Sequence, residues 1–435
     1  MNNDSTMFLI ICSALVLFMT PGLAFFYGGL VRATSVVSMM MMSFGSLGLI
    51  GVMWLAYGYA MSFGGSGSGN FIGIEGVFGI DLNKLFMNDV VQQSLGHGAG
   101  APGDGSNLAF AGFQGTFAII TVALISGAIA DRAKFGSWMI FAGIWATLVY
   151  FPVANWVFNF TTDASGKVVS GGWLVHNVGL LDFAGGTVVE IASGASALAL
   201  ALVVGKRFGF AKGMHAPHSI PLVLIGAAIL WFGWFGFNAG SASHANGTAA
   251  LAFINTGIAG FGGLLGWTVL DRLWHGKPTA VGAVSGAVAG MVAITPSCAY
   301  LDPWWALALG VVVGVVCGLA VELKWKLGFD DSLDVVGVHL VAGIIGTLWI
   351  GLFGNGVGLF FGFGPAQLGK QAIGVVVVGL YAFIASWLVG QAIQKTIGFR
   401  ITTTDEIAGV DNTVHGELAY NEQDPRWSWG RSGRD

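Results

Sequence analysis

The chain has 435 residues, 55% of them hydrophobic and 9% charged, where a soluble domain carries about 25% charged residues. So much apolar surface excludes an ordinary soluble globule, and a net charge of −4 with no long basic run gives no footing for nucleic-acid binding. Cys12, Cys298 and Cys317 each sit in an apolar run without metal-type spacing, which makes them packing residues.

The first six residues hold Asp4 and no lysine or arginine, and the apolar stretch 7–31 is long enough to span a bilayer. It is expected to be a retained first helix rather than a signal peptide. Apolar runs of about 20 residues then recur, giving eleven candidate spans near 8–31, 36–63, 108–130, 137–158, 182–204, 219–240, 249–270, 278–299, 303–323, 334–353 and 369–394. The 70 glycines suit closely packed membrane helices. With the N-terminus outside, all lysines and arginines except Lys84, Lys167 and Lys370 fall on the inner side. The positive-inside rule therefore predicts eleven spans with a cytoplasmic C-terminus. The outer segments 64–107 and 159–181 are rich in Gly, Ser, Asn and Asp, as surface loops are. Residues 1–397 are expected to form the membrane domain and 398–435 a cytoplasmic tail, too short for a catalytic domain.

Ionisable residues within spans are costly and mark function. Glu190 in the fifth span and His339 in the tenth each lie eight residues after an aspartate, Asp182 and Asp331. Eight helical residues advance about 12 Å, and the two spans run in opposite directions. Both side chains thus reach about the middle of a core roughly 30 Å thick. This spacing predicts two inverted five-helix repeats meeting at a midplane site, with the last helix outside the repeat. Asp182 and Asp331 suit helix capping, a role open to Asp334 as well.

The chain resembles the ammonium transporter family (Amt/Mep/Rh) along almost its whole length. The resemblance is carried by Leu15-Val-Leu-Phe-Met-Thr-Pro-Gly, Phe25-Phe-Tyr-Gly-Gly-Leu-Val-Arg32 and Phe113-Gln-Gly-Thr-Phe117. It continues in Asp182-Phe-Ala-Gly-Gly-Thr, Trp234-Phe-Gly-Phe-Asn-Ala-Gly-Ser241, Asp334-Val-Val-Gly-Val-His339 and His415-Gly-Glu-Leu-Ala-Tyr420. It implies an ammonium transporter or channel of the Amt branch, a homotrimer with one pore per subunit, and no cofactor or enzymatic activity. It also implies an outer recruitment site of Phe117, Phe158 and Ser241, with Phe113 near the vestibule. Phe117 and Phe237 would form a phenyl gate, and Glu190, His339 and Trp234 would line the pore. Without the family, Phe113 and Phe117 are simply neighbours on one helix face.

Two departures stand out. Phe158 aligns with the family's usual outer-site tryptophan, although Trp156 lies two residues away. Glu190 replaces the first histidine of the commoner pore pair, as in some members. The tail and the basic segment 205–217 imply docking of a trimeric PII-type signalling protein. The competing readings are an ammonium sensor on the same fold and a Rhesus-type neutral-gas channel. A membrane enzyme lacks any matching nucleophile or metalloprotease motif. His97, His176, His215, His218, His244 and His275 fall in or near loops, and the spacing of His215 and His218 lacks further ligands for a metal.

Overall fold

The computed structural model describes residues 3–65, 69–96, 105–212 and 216–420. Eleven apolar helices follow one another in the expected order. They are α1 (Asn3–Leu30), α2 (Val36–Ser62), α3 (Ser106–Ile129), α4 (Phe135–Phe158), α5 (Gly186–Val204) and α6 (Ile220–Gly240). The others are α7 (Gly247–Trp274), α8 (Ala280–Ile294), α9 (Pro303–Leu327), α10 (Val336–Phe353) and α11 (Ala366–Thr396).

Ten of them are long and apolar enough to cross a membrane, and α8 differs. Its 15 residues reach about 22 Å at helical rise. Pro296 has no N–H to continue the ladder, and the chain runs on from Thr295 to Leu301 as tight turns. Non-helical backbone at membrane depth needs partners inside the protein. Here Asn255 of α7 donates its side-chain amide to the carbonyls of Cys298 and Leu301, at 2.8 and 2.7 Å.

Helices α1–α5 and α6–α10 form the two inverted halves. α1 lies along α6 and α5 along α10, so equivalent helices meet at the centre. The correspondence extends to single hydrogen bonds. Phe183, just after Asp182, donates its N–H to Pro296 in the turn after α8. Ser332, just after Asp331, donates to Ala128 at the end of α3.

The two outer segments expected as loops contain short antiparallel hairpins. One pairs β1 (Phe71–Ile74) with β2 (Phe78–Asp81), the other β3 (Phe160–Thr162) with β4 (Val168–Gly171).

At the opposite end the tail docks against the bundle. Phe399 is fully buried beside Phe141, and the Glu406 carboxylate accepts from Arg400 and from the N–H of Phe208. Asp411 accepts from the N–H groups of Val37 and Ser38 at 3.0 and 2.8 Å. It thereby caps α2, whose own Ser35 makes no side-chain cap.

Candidate functional site

Each half delivers its ionisable side chain through a wide helical turn fastened by an aspartate. The Asp182 carboxylate accepts from the N–H groups of Gly185 (2.9 Å), Gly186 (2.7 Å) and Thr187 (2.7 Å), and from the Thr187 hydroxyl. These are the orphan donors at the start of α5. The helix then opens with a π-helical stretch, Gly186–Ile191, that carries Glu190. In the other half the Asp331 carboxylate accepts from Val336 at 2.7 Å, and the π-helical stretch Val336–Leu340 carries His339. Asp334, expected as a possible cap, is instead paired with the Lys324 ammonium of α9, and its backbone is left-handed (φ 64°).

Glycine lets the two stretches touch. A Cβ at Gly194, four residues after Glu190, would lie 2.5 Å from the Leu340 nitrogen. One at Gly343, four residues after His339, would lie 3.0 Å from the Glu190 Cβ. This close approach brings His339 Nδ1 to 2.6 Å from Glu190 Oε2, both side chains buried. Glu190 Oε1 and His339 Nε2 have no hydrogen-bond partner among the described residues.

The pair borders a narrow cavity of about 20 Å³, room for one or two water-sized particles, whose other walls are apolar. Trp234, Phe26, Leu124 and Val288 are among its lining. The Trp234 indole N–H is spent on the Thr295 hydroxyl (2.9 Å), so the ring presents its apolar surface to the cavity.

Phe237 is part of the cavity lining. Its ring stacks on Phe117 at 3.9 Å between centroids and 10° between planes, leaving no passage between the rings. Phe158 meets the other side of Phe117 edge-on at 6.3 Å and is partly exposed. Ser241, also partly exposed, donates its hydroxyl proton to the Phe237 carbonyl (2.9 Å), which leaves its oxygen lone pairs as acceptors.

Two expected contributors stand elsewhere. Phe113 has no exposed surface. It packs edge-on behind Phe117 at 4.8 Å, wedged against Gly240, and supports the gate ring rather than the vestibule. Trp156 points away from the site, its ring on Trp173 and Tyr381 and its N–H donated to the Val77 carbonyl. Phe158 therefore holds the aromatic position beside Phe117. Of the histidines, His97 and His215 lie outside the described residues, while His218 bonds Val31 and Tyr420. No group of three or more potential metal-ligating side chains occurs among the described residues.

Sequence reasoning missed the clasps that hold the two aspartate arms. Gln371 of α11 grips Leu181 on both sides, accepting from its N–H (2.9 Å) and donating to its carbonyl (2.7 Å). Gln367 donates to Gln371 and to Gly179. On the opposite arm the buried Arg132 guanidinium donates to the carbonyls of Ala128, Ala130, Gly205 and Asp330 and to the Ser332 hydroxyl. In the sequence its charge reads only as that of an inner-loop cation.

The sequence matches the Ammonium Transporter Family over residues 7–420. The chain belongs to that family. It is 49% identical to an ammonium transporter of Mycobacterium tuberculosis, covering 97% of this chain and 91% of that protein. Its fold is similar to the crystal structure of Saccharomyces cerevisiae Mep2, with a TM-score of 0.82 and 32% identity over 98% of this chain and 93% of that one. A protein titled Sensor Amt Protein shares the fold at a TM-score of 0.83 and 26% identity, covering 94% and 98% of the two chains. The higher identity to a transporter over nearly full length supports the transporter reading over the sensor. Membership also makes this a multi-pass membrane protein, in agreement with its apolar helices.

Proposed function

We propose that the chain moves ammonium across the cell membrane through a path inside each subunit. Its N-terminus lies outside, its C-terminus lies in the cytoplasm, and three copies assemble as a homotrimer. The observation that carries the reading is the 2.6 Å Glu190–His339 bond bordering an apolar cavity behind the Phe117–Phe237 stack. Moving a bare ammonium ion into such a cavity is costly in desolvation. The partly exposed Phe158 ring attracts the cation, joined by Phe117 once its face is freed from Phe237, and the Ser241 oxygen accepts one of its N–H bonds. The gate rings must then part. The midplane pair accepts or relays the proton, and NH3 crosses the apolar passage at lower cost than the ion.

Residues 398–435 act as a regulatory tail, and together with the inner segment 205–217 they form the face that a PII-type signalling protein would contact. Deletion after Arg400 is expected to leave the bundle assembled while deregulating transport.

The test is current recording from purified protein in liposomes under an ammonium gradient, paired with an internal pH dye. Ammonium-dependent current accompanied by ammonium flux is expected. Flux without current would mean a neutral-gas channel, and absence of both would overturn transport.

A further inference from the structure

Helix α8 ends early, and the residue at its end is bonded to the cavity wall. Thr295 follows directly on α8, and Pro296 stops the helix from continuing. Thr295 is fully buried, and its hydroxyl makes two bonds. It donates its proton to the Met291 carbonyl at 2.8 Å and accepts the Trp234 indole N–H at 2.9 Å. A threonine hydroxyl has a single proton to give. With that proton on Met291, its oxygen can only accept, and the indole is the donor it takes.

The same turn touches the arm that leads to Glu190. The Pro296 carbonyl accepts from the Phe183 N–H at 3.1 Å, and a Cβ at Gly186, where α5 begins, would lie 2.5 Å from the Pro296 ring. One short turn thus contacts both the Trp234 wall and the start of the helix that carries Glu190. The other half of the repeat treats its own donor in the same way. Tyr27 of α1, the counterpart of α6, donates its hydroxyl proton at 3.0 Å to the Leu124 carbonyl in the last turns of α3, the counterpart of α8.

Among the residues bordering the cavity, only Glu190, His339 and Trp234 carry strong hydrogen-bonding side chains. A water held in a buried cavity needs about two to four polar partners. With the indole N–H on Thr295, the Glu190–His339 pair is the one polar side-chain feature left to the cavity. A freed indole N–H would add a donor from another helix, and water held between them would give bare protons a route to the pair.

We infer that Thr295 is a positioning residue for selectivity. By holding the Trp234 N–H out of the cavity it keeps the path free of a standing water chain, so protons do not leak when ammonium is absent. The short α8 is then a functional feature, because its early end puts this acceptor against the cavity wall. The inference rests on the cavity being the ammonium path proposed above.

Proton leak measured without ammonium tests it. Purified protein is placed in liposomes holding a pH dye, and a potassium gradient with valinomycin sets an inside-negative potential, potassium leaving as protons enter. Thr295→Val is expected to leak protons several-fold faster than wild type. Thr295→Ser, which keeps the hydroxyl, should stay at the wild-type rate. Combining Thr295→Val with Trp234→Phe, which has no N–H to free, should bring the leak back toward wild type, since an apolar void stays dry. A wild-type leak rate in Thr295→Val would overturn the seal. So would an equal or larger leak in the double variant, which would assign the leak to lost packing. Thr295→Ala, also without a hydroxyl, stands in should the valine variant fail to assemble. Ammonium flux through the wild type is recorded in the same liposomes, and its absence would remove the path itself, a failure separate from that of the seal.

Discussion

The two aspartate arms of the molecule do the same job with opposite electrostatics. On the Asp182 arm, near the aromatic gate, the fastening groups are neutral: the amides of Gln367 and Gln371 hold residues 179–181. On the Asp331 arm they are cations: Arg132 holds Ala128, Ala130, Asp330 and Ser332, and Lys324 holds Asp331 and Asp334. Nearby acids offset that charge, with Arg207 bridging Asp131 and Asp330 at 3.1 and 2.9 Å. An inverted repeat therefore fixes where hinge and side chain must be, while leaving open how each arm is held. The neutral clasp is not an uncharged neighbourhood, since the Lys370 ammonium stands beside Gly179.

This comparison can be broken from either side. Arg132→Ala should have the largest effect. It leaves several buried carbonyls unpaired, at about 1–3 kcal/mol each, and removes one of the two cations facing Asp330, with Arg207 still bridging that carboxylate. Little assembled protein should survive size-exclusion chromatography in detergent, and full recovery of a normally stable variant would refute the clasp.

Glu190→Gln removes the proton acceptor while preserving size, and should cut proton-coupled current about a hundredfold, equivalent to about 2.7 kcal/mol. Glu190→His should retain transport with a shifted pH profile. Wild-type current and pH profile in Glu190→Gln would make the carboxylate a spectator.

Gln371→Leu tests the neutral clasp. Two backbone groups of Leu181 lose their partner, at about 1–3 kcal/mol, so thermal unfolding should come several degrees earlier with the bundle still assembled. An unchanged melting temperature would show that the clasp is dispensable.

Ser241→Ala removes one hydrogen bond to a charged ligand. It should weaken ammonium capture about tenfold, the equivalent of about 1.4 kcal/mol. Concentration dependence of the current reads this directly, and an unchanged half-saturation would take Ser241 out of the mouth.

The smallest effect is the pH response of the charged arm. Burial would raise the Asp330 carboxyl, but Arg132 and Arg207 outweigh it and hold the group below the usual carboxylate range. The stabilisation is thus fully present above about pH 3.9 and fades as pH falls through the lower folded value. Hydrogen exchange at residues 205–208 and 330–332, normalised to the intrinsic amide rate at each pH, should stay slow at pH 5 and accelerate only below about pH 4. Acceleration already at pH 5 would contradict the sign.

Much of this architecture is legible in the chain because hydropathy, charge asymmetry and spacing are local properties. Apolar runs mark the spans, the lysines and arginines predict their direction, and the shared eight-residue offset places Glu190 and His339 at one depth. The same local view could not separate Phe158 from Trp156. Which of two nearby aromatics faces the site depends on Val77 and Tyr381, far away in sequence, claiming the indole. Nor could it shorten α8, since a buried turn satisfied by Asn255 is as apolar in composition as a helix.

What the sequence alone determined is the set of elements, their order and the residue types carried to the midplane. Tertiary structure decided the partners: a histidine bonded to a glutamate 149 positions away, an arginine closing five bonds across three segments, and a tail aspartate capping α2. The physical reason is range. Burial and helical period act within a few turns, whereas a buried polar group takes whichever donor or acceptor the packed bundle brings within about 3 Å.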